Sequence, residues 1–171
     1  MKFQHDKDTT GRCSVEGHNA EKVFRDSLNF YAGEDAVLSE TVQQQWDGID
    51  VQSMVLGSFD VKARKRGNRW EKLPQDKYIW VEFQNVGGGK GWLYSRADYL
   101  AFEQEDEFIV VGRKEFKEMC EVLCDLSGNV DSANKAIYKA YQRKDRKDII
   151  SKIKTQDIFD YIKFFILPKN I

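Results

Sequence analysis

Carboxylates stand on both arms of one short segment, Trp46-Asp-Gly-Ile-Asp-Val-Gln-Ser-Met-Val-Leu-Gly-Ser-Phe-Asp-Val-Lys62. From Trp46 to Ala63, β-prone residues around a Leu56-Gly57-Ser58 turn predict an antiparallel hairpin. Carboxylates inside a half-buried strand lose solvation and repel one another, which costs stability unless a cation sits between them. With 2 histidines and 3 cysteines in the chain, soft ligands are scarce, and oxygen donors point to Mg²⁺ or Mn²⁺ rather than zinc. A three-residue loop at Met54 to Leu56 brings Asp50 opposite Asp60, where both reach one ion. Asp47 is the alternative first carboxylate, but pairing it with Asp60 centres the turn at Ser53 and Met54, away from Gly57. Alternation sets Lys62 beside Asp60 and turns Phe59, Val61 and Ala63 to the opposite face. Two carboxylates, a divalent ion and an ammonium suit phosphodiester hydrolysis: the ion polarises the phosphoryl oxygen and acidifies its water, and the ammonium orients the nucleophile and offsets developing charge.

The elements that must position these groups follow from hydrophobic period. Residues 1–17 lack an apolar repeat and read as an irregular lead-in. A helix is predicted from about Asn19 to Tyr31, with Ala20, Val23, Phe24, Leu28 and Tyr31 inward, Glu21 on the flank of that stripe and Gly33 closing it. After the hairpin, a third strand spans about Lys77 to Gln84, with Ile79, Val81 and Phe83 on one side and Tyr78, Trp80, Glu82 and Gln84 on the other. Gly87, Gly88, Gly89 and Gly91 make a turn; without a following Gly-Lys-Ser/Thr they are not a phosphate-binding loop. Tyr99 to Phe102 and Phe108 to Val111 add two short strands. Asp98, Glu103, Glu105, Asp106 and Glu107 read as a solvated strand edge. Residues 113–171 are predicted as C-terminal helices. Phe116, Met119, Cys120, Leu123 and Cys124 form one buried stripe, Asp131 or Ser132 caps a helix bearing Ala133, Ala136, Ile137, Ala140 and Tyr141, and Thr155 caps the last. The expected architecture is a single α/β (α+β) domain over 1–171, with a mixed, mostly antiparallel central sheet flanked by helices.

Composition narrows the function classes. The 171 residues are 41% apolar and 32% charged, with a net charge of −1. No long uncharged apolar run and no apolar leader is present, so the expectation is a cytoplasmic protein. Charge is uneven: residues 1–61 carry 5 basic and 11 acidic side chains, and the rest carry 22 and 17. The basic excess falls in two clusters, Lys62, Arg64, Lys65, Arg66, Arg69 and Lys72, then Lys135, Lys139, Arg143, Lys144, Arg146, Lys147, Lys152 and Lys154. A solvated face accounts for either cluster alone. Together, opposite an acidic N-terminal part, they suit a polyanion, with Arg64, Lys65, Arg66, Arg143 and Arg146 as candidate nucleic-acid contacts. Trp70, Trp80 and Trp92 are candidate stacking platforms, although burial is the usual fate of tryptophan.

The ordered set Glu21, Asp50 and Asp60-Val61-Lys62 resembles the PD-(D/E)XK nuclease superfamily, whose members share a restriction-endonuclease-like αβββαβ core. A closer resemblance over about residues 14–160 is to small phage and viral proteins of that superfamily. It is carried by the DVK triplet with its basic run, Ile79-Trp80-Val81-Glu82, Gly91-Trp92-Leu93-Tyr94, Ala97 to Glu103, and Tyr141 to Asp148. The superfamily's proline is absent, Ile49 standing before Asp50. The resemblance implies a Mg²⁺-dependent (or Mn²⁺-dependent) nuclease in which Glu21, Asp50, Asp60 and the Val61 carbonyl surround the ion and Lys62 lies beside the attacking water. It points to DNA more than RNA, to an endonuclease, to host cytoplasm if the protein is viral, and to a homodimer where both strands are cut. The alternatives are a nucleic-acid-binding protein that keeps the fold without cleaving, and an interaction protein whose charges only solubilise it.

Overall fold

Ala20, Phe24, Ser27 and Leu28 recur at helical spacing, and all four are buried in the first helix. The computed structural model describes residues 12–171. In it this helix, α1, spans Arg12–Ala32, so the irregular lead-in gives way to helix by residue 12; its first eleven residues, and the Cys13 side chain, lie outside the described residues. Gly33 ends it at φ 64°, and Tyr31, expected inward, is half exposed on the last turn.

The chain continues through β1 (Val37–Leu38), α2 (Val42–Asp47), β2 (Val51–Ser53), β3 (Gly57–Lys62), β4 (Tyr78–Gln84), a 3-10 turn (Trp92–Tyr94), β5 (Tyr99–Glu103), β6 (Glu107–Gly112), α3 (Arg113–Leu123) and β7 (Asp125–Val130). A second 3-10 turn (Ala133–Lys135), β8 (Lys139–Tyr141), β9 (Ile149–Lys154), α4 (Thr155–Tyr161) and β10 (Phe164–Pro168) complete it. The strands form two sheets, mostly antiparallel and flanked by helices. One has six strands in the order β1-β2-β3-β5-β6-β10, and the other four in the order β4-β9-β8-β7. Among the strands of the described residues, β3–β5 and β7–β8 pair in parallel, with an isolated parallel bridge between Ile137 and Lys152.

The six-stranded sheet is buried on both faces. One face sends Val51, Phe59, Val61, Ala101, Phe108 and Val110 against Ala20, Phe24 and Leu28 of α1. The other sends Leu100, Phe102, Ile109 and Val111 into a second core with Ile79, Val81 and Phe83 of β4, Ile153 of β9, Phe116 and Cys120 of α3, and Ile158 of α4. The expectation of one central sheet is therefore corrected. The Lys77–Gln84 strand alternates as foreseen, but it pairs with β9 and faces the first sheet instead of extending it. The acidic run at 98–107 is likewise no sheet edge, because β5 and β6 lie inside the sheet.

The C-terminal half departs most from expectation. Only α3 and α4 are regular helices there. Around Ala133–Tyr141 the helical spacing of alanines is real, yet the backbone bonds outward: Tyr138 donates its N–H to the Lys152 carbonyl and Lys152 its own to Ala136, both at 2.8 Å. Tyr138 sits at φ 57°, which no α-helix tolerates. Pairing with β9 wins over a helix of small residues, which would bury little. Thr155 does not cap α4 either; its hydroxyl donates to the Asp76 carbonyl at 2.5 Å, and α4 ends at Tyr161 before the chain re-extends as β10. Cys120 and Cys124 are both buried free thiols, as the stripe predicted, and burial raises the pKa of each. Among the described residues, no helix is long and apolar enough to cross a membrane.

Candidate metal centre

The turn into the site is built by α2. Thr41 and Gln44 form a capping box at its start, and Gly48, at φ 71°, closes its end with N–H bonds to Gln44 and Gln45 carbonyls. Ile49 and Asp50 then enter β2, with the Asp50 N–H on the Phe59 carbonyl at 2.9 Å. β2 and β3 pair Val51 with Phe59 and Ser53 with Gly57, leaving Met54–Leu56 as the loop. That register is the one a three-residue loop requires, and it sets Asp50 opposite Asp60. Asp47 stays behind at the end of α2, where Gln43 and Arg96 engage its carboxylate. A reciprocal tie from Ser58 to Asp98 fastens β3 to β5: the Ser58 N–H and hydroxyl both donate to Asp98 Oδ2 at 2.9 Å.

Asp60 is the centre of the arrangement. It is only 1% exposed, and its strand neighbours Phe59 and Val61 face α1, so its side chain turns to the other face. Lys62 Nζ lies 2.5 Å from Asp60 Oδ1, while Asp60 Oδ2 is buried without a hydrogen-bond partner. Asp50 uses its Oδ2 to accept the Val61 N–H at 2.8 Å, and its charge repels that of Asp60 across the hairpin. Burial pushes the Asp60 pKa well above the usual range; Lys62 opposes that shift and Asp50 adds to it. For Lys62, burial alone would depress the ammonium, but Asp60 and then Asp50 overcome it and raise its pKa, so the side chain stays protonated at neutral pH. The ammonium also sits 5.1 Å from the Trp92 ring centroid and feels Glu82. Glu82 Oε2 in turn accepts the Trp92 N–H at 3.3 Å.

Glu21 approaches this pair without joining it. Its carboxylate lies 3.2 Å from His18 Nδ1, on the helix that covers the opposite face, and its pKa is raised by burial and by repulsion from Asp50. Among the described residues, no three acidic, histidine or cysteine side chains are grouped so as to hold a metal ion. The centre is thus a carboxylate pair with an ammonium. Such a pair fits Mg²⁺, which keeps several waters and is commonly held by one or two carboxylates. The orphaned Asp60 oxygen is the atom a cation would satisfy.

The proposed nucleic-acid contacts are scattered in role. Arg64 is ion-paired to Asp76 at 2.6 Å, and Arg66 donates to the Glu71 carbonyl at 3.2 Å. Arg143 is bound to the fully buried Asp148. Lys65 is exposed, and Arg146 is half-buried in the loop that Lys147 lays against the glycine turn. Lys152 proves to be buried, donating to the Gly67 carbonyl at 3.2 Å between the Tyr78 and Trp80 rings. Trp80 is tied down through Nε1 to the Arg66 carbonyl, and Trp92 packs on Phe102 and Phe116; Trp70 alone of the three is largely exposed. Sequence reasoning missed Gly48, Ser95 and Arg96, since only folding carries the 91–96 segment against the end of α2. Comparison with known protein families, with characterised proteins and with solved structures finds no match to this chain.

Proposed function

We propose that the protein is a Mg²⁺-dependent (or Mn²⁺-dependent) nuclease of the PD-(D/E)XK type, cutting phosphodiester bonds within nucleic acid, DNA in preference to RNA, at Asp50, Asp60 and Lys62. The observation that carries this reading is a buried carboxylate with one oxygen on an ammonium and the other unpartnered, set opposite a second carboxylate. Such a group is costly unless a cation completes it. A divalent ion held by the pair supplies polarisation of the phosphoryl oxygen and a more acidic bound water. Lys62, held protonated, orients the attacking water and offsets charge building on the phosphoryl oxygens. Water attacks phosphorus and gives up a proton to solvent, the bond to the leaving sugar oxygen breaks, and that oxygen takes a proton from solvent. Glu21, with its raised pKa and its place on α1, is an outlying acid of the same site.

The acidic-x-lysine triplet falls on the third strand in chain order, as in an αβββαβ core, but the order α1, β1, α2, β2, β3 inserts a short helix that such a core lacks. The continuation differs: the parallel pair β3–β5 is joined through β4 and a 3-10 turn, where that core has a helix. The lack of a third grouped ligand among the described residues favours, as a second reading, a protein that binds nucleic acid without cutting it. One experiment separates the two. Circular and linear DNA and RNA are incubated with the protein in Mg²⁺, Mn²⁺ or EDTA. Metal-dependent nicking of circular DNA that falls about 100-fold or more in Asp60→Ala and Lys62→Ala supports the nuclease. Binding without cleavage in any metal supports the second reading, and equal cleavage by both variants removes the site.

A further inference from the structure

Among the described residues, three buried side-chain oxygens have no hydrogen-bond partner: Asp60 Oδ2, Ser39 Oγ and Ser95 Oγ. All three flank one segment, Gly48 to Asp50. Ser39 donates its backbone N–H to the Asp50 carbonyl at 2.8 Å. A Cβ placed on Gly48 would lie 2.7 Å from Ser95 Cβ, 3.5 Å from Ser95 Oγ and 3.7 Å from Asp60 Oδ2. Gly48 therefore lies between the Ser95 hydroxyl and the orphaned carboxylate oxygen, close to both, and any larger residue there would press on Ser95. Buried polar atoms are ordinarily satisfied, and orphans gathered in one place indicate a missing common partner.

We infer that Ser95 is a positioning residue for a hydrated divalent cation, its hydroxyl fixing a water of an ion carried by Asp60 and Asp50. The inference rests on the metal-site reading above and specifies how the site is completed without a third carboxylate. An ion that keeps its waters needs partners for their protons, and a hydroxyl accepts one while adding no charge beside two carboxylates. Ser95 is well placed to be rigid. Its own N–H bonds to the Trp92 carbonyl at 2.9 Å, and the next N–H, of Arg96, bonds to the Asp47 carbonyl at 2.8 Å. The segment bearing the hydroxyl is thereby latched to the helix end that leads into Asp50.

The test is Mn²⁺ binding to the full chain, read from loss of the free-ion signal in electron paramagnetic resonance, with thermal unfolding in EDTA recorded alongside. Wild type, Asp60→Asn, Ser95→Ala and Ser95→Gly are compared. The expected result is binding by wild type, its loss in Asp60→Asn, and about tenfold weaker affinity in both Ser95 variants, as is common when a group orienting the inner ligands is removed. Unfolding of Ser95→Ala in EDTA should be unchanged or shifted upward, because an unsatisfied hydroxyl has gone. Wild-type affinity in a folded Ser95 variant, with Asp60→Asn still defective, overturns the positioning role and leaves the metal site standing. Failure of wild type itself to bind Mn²⁺ brings down the metal site and this inference together.

Discussion

A carboxylate buried beside an ammonium and a second carboxylate makes stability depend on pH in a defined direction. The Asp60 pKa is raised by burial, which Lys62 opposes and Asp50 reinforces, so the folded protein holds a proton there that the unfolded chain has released. Between about pH 4, where an unfolded aspartate titrates, and the raised folded value, the native state binds more protons, and stability falls as pH rises. Glu21 acts in the same sense. The raised Lys62 pKa acts in the same sense in a distant window: its contribution is complete below about pH 10 and is lost only as pH climbs through the folded value. In EDTA, Asp60→Asn should therefore flatten the decline in Tm between about pH 4 and neutrality and raise the Tm at pH 7. Millimolar Mg²⁺ should raise the wild-type Tm at pH 7 and leave the variant unmoved. Thermal melts across pH, with and without Mg²⁺, check both; a variant less stable than wild type at pH 7 in EDTA would show that Lys62 alone compensates the buried charge.

Two glycines give the elements opposite sensitivities. Gly91 carries the turn that returns β4 to the site, and its N–H bonds to the Phe83 carbonyl at 3.0 Å. A Cβ there would press into the Glu82 carbonyl oxygen and come within 2.8 Å of the Phe83 carbonyl carbon, so backbone must move. Gly91→Ala should cost about 3 kcal/mol and displace Glu82 and Trp92 from Lys62. Gly17 lies inside α1 with nothing within 4 Å of an added Cβ, and Gly17→Ala should stabilise by about 1 kcal/mol. Urea denaturation of the two variants checks the contrast. This difference also shows what could be read beforehand. The hairpin register at Asp50 and Asp60 was legible through period 2 and a three-residue loop, but Trp46 belongs to α2, and Gly57 and Ser58, expected in the turn, already pair in β3. Helix α1 was legible through Ala20, Phe24 and Leu28. The assignment of β4 to a separate sheet was not, because alternation at Ile79, Val81 and Phe83 says which side is buried but not against what. The β8 region failed for a related reason: alanines at helical spacing carry little packing information, and the hydrogen bonds to β9 come from residues far along the chain. Ser95 and Gly48, 47 positions apart, carry no local pattern that would join them.

Across the whole molecule, net charge is close to zero, so any affinity for a polyanion must come from how cations are distributed and which are already engaged. Arg143 and Arg146 stand three residues apart in one basic stretch yet are spent differently. Asp148 is fully buried and held by Arg143 through its Nε and its N–H, which makes Arg143 part of the fold. Removing the guanidinium leaves a buried carboxylate without its cation, at a cost of about 3 kcal/mol. Arg146 and Lys147 lie where that loop meets the glycine turn, and the Lys147 side chain packs on Gly88 while its carbonyl accepts from Gln84. Under the proposed nucleic-acid function, cations in such a place would act on a phosphate backbone by releasing counterions, each contact adding about 0.9 to the slope of log affinity against log salt. Arg146→Ala and Lys147→Ala should therefore leave the melting temperature within a degree or two and lower the salt slope of DNA binding by about 1 each, with affinity falling evenly across sequences. Arg143→Ala should instead lower the Tm and leave the slope of the folded protein almost unchanged. Fluorescence anisotropy with labelled duplexes over a salt series, beside melts of the same samples, distinguishes them; a reduced slope in Arg143→Ala with an unaltered Tm would mean that the Asp148 pair opens on binding and that this arginine, too, faces the nucleic acid.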